Sequence, residues 1–442
     1  MTAASQPAVA TAPGQPVRVA DAKIAFAHET TAGAPDDKAG GAGEMPRIPQ
    51  IALHAFCDTP DMADVMAKVV SDRRLSRARA AVHPGGIAAA LDMYRQAPSP
   101  NLVVLESQAV AGDLRAQLDA LADVCVSGTK VIVIGHANDV ALYRELLARG
   151  VSEYMVAPVE PLAIISVIAR LYQDAGARKL GRTLAFVGAK GGVGSSTIAH
   201  NVAYTVGRTY GSDVILADLD LAFGSASLGL NLSPTQGMAQ VLQYVDRLDH
   251  ALLERLLTKS EDHLSVLTAP ATLETCYDLE ESSFERMLDI AQSNTPFVVL
   301  DIPHIWTAWT KKTLLAADEV VISATPDLVS LRNAKNLVEQ LKLARPNDAP
   351  PKLVLNQIGV PKRLEIKPDK FAETLQIEPV ACIPFDPSSF SAAANNGQLI
   401  ADVAAKSAAS RSFAKIAQAI TGRATATTSR SAGSVFRRLL GR

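Results

Sequence analysis

The sequence predicts an α/β protein built from two doubly wound domains, and three observations carry that prediction. From residue 51 onward, short apolar runs alternate with stretches of helical periodicity. The alternation is broken once, by the polar stretch 173–182, and then resumes to about residue 421. The 442 residues also exceed what one hydrophobic core usually serves.

Residues 1–48 are rich in Ala, Thr, Pro and Gly, a composition that cannot bury enough apolar surface to fold alone, so a disordered arm is expected. Strands are predicted at 51–57, 80–83, 102–105, 130–134 and 153–156, and helices at 62–71, 87–95, 112–122, 140–148 and 162–172. Parallel neighbours need a crossover connection and each helix supplies one, so 49–174 reads as a doubly wound parallel sheet. The order and length resemble a response-regulator receiver domain, which is flavodoxin-like. A receiver ends its third strand on a phosphoacceptor Asp, where this chain has Leu105, Glu106 and Ser107. Its acidic pair after the first strand is reduced to Asp58 and Asp61, and the lysine before the proline after strand five is Ala157. With acceptor and lysine both replaced, the resemblance implies an atypical receiver-like domain that docks or dimerises rather than relays phosphate. Asp58 then reads as a loop or helix-cap carboxylate.

A polar linker at 175–182 leads to the second domain, 183–421, and a tail at 422–442. Directly after the apolar run 183–187 comes Gly188, Ala189, Lys190, Gly191, Gly192, Val193, Gly194, Ser195, Ser196, Thr197. Strand, glycine-rich turn and helix in succession aim backbone N–H groups and a helix N-terminus at a phosphate. A standard loop of this kind, GxxxxGK[ST], places Lys before the hydroxyl residue that holds Mg2+. Ser195 stands at the lysine position, Ser196 at the hydroxyl position, and Thr197 follows. Further on, one strand ends in Asp218-Leu219-Asp220 and the apolar strand 297–300 runs into Asp301, the Walker B pattern in which a carboxylate contacts Mg2+ through water. Strand-end carboxylates also serve as helix caps, and the residues alone leave both roles open.

The KGGVG that opens at Lys190 resembles the signature-lysine arrangement of the MinD/ParA-like P-loop ATPases, the deviant Walker A family. That resemblance implies that Asp218 holds the Mg2+ shell and Asp220 orients the attacking water. It implies that Lys190 reaches into the partner subunit's site, so that ATP bridges a homodimer. Adenine contacts in the family come from an Asn ending one strand and a Pro after the next, which Asn356 and Pro384 match in order. The loop lysine normally supplies charge to the transition state. Its loss costs several kcal/mol, on the order of a thousandfold in rate, while the amides and Mg2+ still support binding. Hydrolysis is therefore expected to be weak or absent. After Asp301 the chain carries Pro303 and His304, where the best-known relatives have a small residue and Gly, and Trp306 and Trp309 add bulk.

A degenerate receiver followed by a MinD/ParA-like domain reading KGGVGSST resembles the CpaE/TadZ pilus-assembly proteins, over roughly residues 50–420. The resemblance implies a factor that marks the cell pole and positions the type IVb (tad, Flp) pilus secretion machinery at the inner membrane. The alternative is an active MinD/ParA-type partitioning or positioning ATPase acting on membrane or DNA, for which Lys362, Arg363, Lys367 and Lys370 form the candidate basic surface. A reductase of the nitrogenase-iron-protein type needs two cysteines near the switch loops, and no such pair follows Asp220 or Asp301.

The balance of 43 basic against 45 acidic residues provides no global field for nucleic acid. Cys57, Cys125, Cys276 and Cys382 are far apart with no CxxC pair, as in reduced cytoplasmic proteins. No apolar stretch approaches the roughly 20 residues that span a bilayer, and the N-terminus lacks the basic start and apolar core of a secretory signal. A cytoplasmic location is expected, with peripheral contact at the inner membrane and pole. The contact would come from the tail end 434–442, where Val435, Phe436, Leu439 and Leu440 oppose Arg437, Arg438 and Arg442 as in a short amphipathic helix.

Overall fold

Strand alternation and helical covering recur in both halves of the chain, which divides into two compact units between Tyr172 and Gln173. The structure is a computed structural model and describes residues 48, 51–172 and 180–423. The expected N-terminal arm, apart from Ile48, linker residues 175–179 and the amphipathic tail end lie outside the described residues.

In the first unit, β1 (Ala52–Cys57), β2 (Arg79–Pro84), β3 (Leu102–Ser107), β4 (Lys130–Gly135) and β5 (Glu153–Val156) form a parallel sheet in the order 2-1-3-4-5. This is the flavodoxin-like order. Every expected strand and helix of this unit is found, with ends displaced by at most 2 residues. Alternation sends Leu102, Val104, Ile132 and Ile134 to one apolar cluster and Val103, Leu105, Val131 and Val133 to the other, so the sheet is buried on both faces. All positions of β3 are buried, which is why its sequence reads as a continuous apolar run.

The second unit has β6 (Arg182–Gly188), β7 (Val214–Asp218), β8 (Thr258–Glu261), β9 (Leu264–Leu267), β10 (Phe297–Ile302), β11 (Glu319–Ala324), β12 (Lys352–Ile358) and β13 (Pro379–Pro384). They form one sheet in the order 13-12-11-6-10-7-9-8, parallel throughout except for the antiparallel edge pair β8–β9. Leu184 and Phe186 pack on one face, Ala185 and Val187 on the other. From β6 the chain builds outward on one side, returns to β10 beside β6, and then crosses to β11 on the other side. Such a reversal opens a crevice beyond the carboxyl ends of the central strands, where open α/β sheets bind ligands. The glycine-rich turn leaves β6 at that crevice.

Candidate nucleotide-binding site

The turn runs from the end of β6 at Gly188 to the helix Ser195–Tyr210. Gly192 (φ 77°) and Gly194 (φ 83°) take left-handed conformations that side chains resist. A Cβ on Gly194 would also lie 2.6 Å from Asn356 Nδ2. The turn's carbonyls are tied back by neighbouring elements. Asn356 Nδ2 donates to Val193 O (2.8 Å), Gln357 Nε2 to Gly192 O (3.0 Å) and Asn333 Nδ2 to Ala189 O (2.9 Å). A glycine-rich turn with left-handed residues, leading into a helix N-terminus, is the setting in which an anion nest forms. Ser195, at the expected lysine position, has a buried Oγ with no hydrogen-bond partner. Ser196 is half-buried and Thr197 is exposed at the helix start.

Asp218 and Asp301 end up directly opposite each other in the parallel register of β7 and β10, 0% and 3% exposed. Asp218 Oδ1 accepts from Asp220 N–H (3.2 Å) and Oδ2 from Ala226 N–H (3.0 Å). Burial first, and then the Asp301 carboxylate, push the Asp218 carboxyl up to about 7, against those amides and the nearby His200. Two buried, mutually unfavourable carboxylates are what a divalent cation would neutralise, so these residues fit Mg2+. Asp220, expected to orient water, uses Oδ1 to accept from Phe223 N–H (3.0 Å) and so closes the turn after β7. The sequence reading passed over His200, which is buried with Nε2 3.3 Å from Asp301 Oδ2. Its signal was available: it lies four residues after Ser196 on the same helix, hence on the same face.

Lys190, expected to cross into a partner, is held within its own subunit. Its Nζ lies 2.8 Å from Asp327 Oδ2. Asp327 also accepts from the Thr325 hydroxyl (2.6 Å) and from Ser330 N–H (3.0 Å), capping the helix Leu328–Ala344. Burial would raise this carboxyl, but Lys190, Thr325 and Ser330 outweigh it and hold it at about 2. Asn356, expected to read the base, has both ends of its carboxamide engaged, Nδ2 on Val193 and Oδ1 on Gln357 N–H (2.9 Å). Pro384 closes β13 beside Ile358 of β12, and the next residue, Phe385, is 38% exposed. Of the two tryptophans, Trp309 is core, edge-on to Phe284 at 5.0 Å, whereas Trp306 is exposed.

Elsewhere, two of the four residues of the expected basic cluster meet acidic partners, Arg363 with Glu365 (2.9 Å) and Lys370 with Glu373 (2.6 Å). In the first unit Glu106 is 1% exposed. Its carboxylate accepts from Asp58 N–H, Thr59 N–H and Thr59 Oγ1, each at 2.8 Å. Asp58 is the expected loop carboxylate, accepting from Gln108 N–H (3.3 Å), but the cap of helix Pro60–Ser71 is Thr59.

Residues 181–353 match the family model described as an AAA domain. The chain is 24% identical over 248 residues to the septum site-determining protein MinD of Bacillus subtilis, covering 55% of this chain and 90% of that one. It spans 60% of the length of two further curated MinD relatives. Among solved structures it is similar to a pilus assembly protein CpaE from Caulobacter crescentus CB15, at 48% identity, covering 30% of this chain and 100% of that chain with a TM-score of 0.29. It is also similar to a ParA family ATPase from Chlorobium tepidum TLS, at 28% identity over 54% of this chain and 98% of that chain, with a TM-score of 0.48.

Proposed function

Because the chain belongs to the MinD/ParA-type ATPase superfamily, we propose that it is an ATP-binding, weakly hydrolysing, dimeric positioning and assembly factor for a type IVb (tad/Flp) pilus secretion system at the cell pole. The observation that carries this reading is Ser195, whose partnerless Oγ replaces the loop lysine while the turn and both buried carboxylates are retained. The identity with the Caulobacter pilus assembly protein supports the pilus part.

ATP with Mg2+, when bound, supplies a polyphosphate anion for the loop and a cation for the carboxylates. The amides of residues 190–197 bind the phosphates, and Ser196, Asp218 and Asp301 hold the cation directly or through water. Asn356 and Pro384 border the base. Asp220 orients water in whatever hydrolysis remains. Lys190 leaves Asp327 and contacts the nucleotide of the partner subunit. Among the described residues no helix is long and apolar enough to cross a membrane. The apolar and basic residues alternating in the sequence 434–442 are the basis for assigning inner-membrane contact to the tail end, with the pilus secretion machinery as partner.

Sedimentation velocity with and without ATP and Mg2+ tests nucleotide-dependent dimerisation: one and the same mass in both conditions overturns it. Phosphate release at rates ordinary for an active superfamily member overturns weak hydrolysis and favours the partitioning ATPase instead. A fluorescent fusion is expected to form a polar focus, and an even cytoplasmic spread removes the polar role.

A further inference from the structure

Beside the loop stands a residue to which the roles above give no part. His304 follows Asp301 by three residues in the segment leaving β10, and its imidazole lies against Gly191 of the loop. A Cβ built on Gly191 would be 3.1 Å from His304 Cε1, 3.3 Å from Nε2 and 3.7 Å from Nδ1. A side chain at 191 would crowd the ring, which would have to give by a few tenths of an ångström. The ring is exposed, and among the described residues it makes no hydrogen bond or ion pair. Meanwhile the loop lacks cationic help from its own subunit: Ser195 replaces the lysine, and Lys190, paired with Asp327 in the free chain, is assigned to the partner's nucleotide. The segment that follows the Asp301 strand thus brings an imidazole to the edge of the loop.

We propose that His304 is a phosphate-contacting residue, whose ring N–H donates to the terminal phosphates of the bound nucleotide and stands in for the side chain missing at Ser195. The ligand class this selects is a nucleoside di- or triphosphate over a monophosphate. The proposal rests on the reading of this crevice as a nucleotide site. A donated hydrogen bond to a charged oxygen, lost without relay, corresponds to about tenfold or more in affinity.

The test measures equilibrium affinities of the full chain for ATP, ADP and AMP in the presence of Mg2+. His304→Ala is expected to weaken ATP binding about tenfold or more while changing AMP binding less than about twofold. His304→Gln, which keeps a donor, and Ser195→Lys in the His304→Ala background are both expected to recover most of the loss. The ligand-free unfolding midpoint of His304→Ala should equal that of the parent chain, because an exposed ring carries little packing. Equal ATP affinity in His304→Ala and the parent chain overturns the proposal. So does equal weakening of ATP and AMP with a lowered midpoint, which would mark a structural residue. A parent chain that binds none of the three nucleotides removes the site reading itself, and this proposal with it.

Discussion

At the scale of single residues, the pair between Lys190 and Asp327 is the contact that a nucleotide-bridged dimer has to break. Because Asp327 is held at about 2, its stabilising contribution is complete above the ordinary carboxylate range near 4 and is lost as pH falls from there toward 2. With side-chain exposures of 36% for Lys190 and 29% for Asp327, solvent screens the pair, and the contribution is on the order of 1 kcal/mol. Melting curves between pH 5 and pH 2 (~3 units) should therefore show a shallower loss of stability in Lys190→Ala than in the parent chain. Asp327→Asn keeps an oxygen for the helix cap and weakens the hold on Lys190, so sedimentation should find the dimer at lower ATP concentration. For Ser195→Lys the expected change is a rise in phosphate release of about tenfold or more, since the restored charge acts on the transition state. A rate no higher than the parent's would show that the defect lies elsewhere.

At the scale of elements, Glu106 ties the ends of β1 and β3 together where a receiver would place its phosphoacceptor. Removing the side chain leaves two amides and a hydroxyl without their acceptor. Glu106→Ala should cost about 2–4 kcal/mol, read as a lowered melting transition of the first unit. Incubation with a small acyl phosphate should add no phosphoryl mass to the first unit, and Glu106→Asp should not change that, because Ala157 still stands where the compensating lysine belongs. The loop has its own test. Gly194→Ala forces a side chain into a left-handed residue and onto the Asn356 amide, so nucleotide binding should fall sharply at a stability cost of about 1–3 kcal/mol. The helix and strand ends of the first unit were legible to within 2 residues, because periodicity, proline and glycine act over a few neighbours. The clamp of β12 on the loop was not, since it depends on which strands lie side by side.

At the scale of the whole molecule, the apolar clusters divide cleanly: two use only residues up to Tyr172 and two only residues from Leu184 onward. Each unit therefore owns its core. Chain separated within the stretch 173–179 is expected to yield two pieces that each unfold cooperatively, with nucleotide binding confined to the second. Failure of either piece to show a cooperative transition would mean that the cores depend on each other.

The sequence by itself determined the two doubly wound domains, Glu106 and Ala157 at the positions where a receiver would carry its phosphoacceptor and lysine, and the loop with Ser195 in place of Lys. These are patterns of burial and turn chemistry written into short windows. Only the tertiary structure decided what those residues touch. Lys190 meets Asp327 from 137 positions away, Asn356 holds Val193 from 163 away, and Asp218 faces Asp301 because β7 lies beside β10. His304 reaches Gly191 for the same kind of reason. Strand order in a parallel sheet is set by how whole crossovers pack on its two faces, and no local window of residues records it.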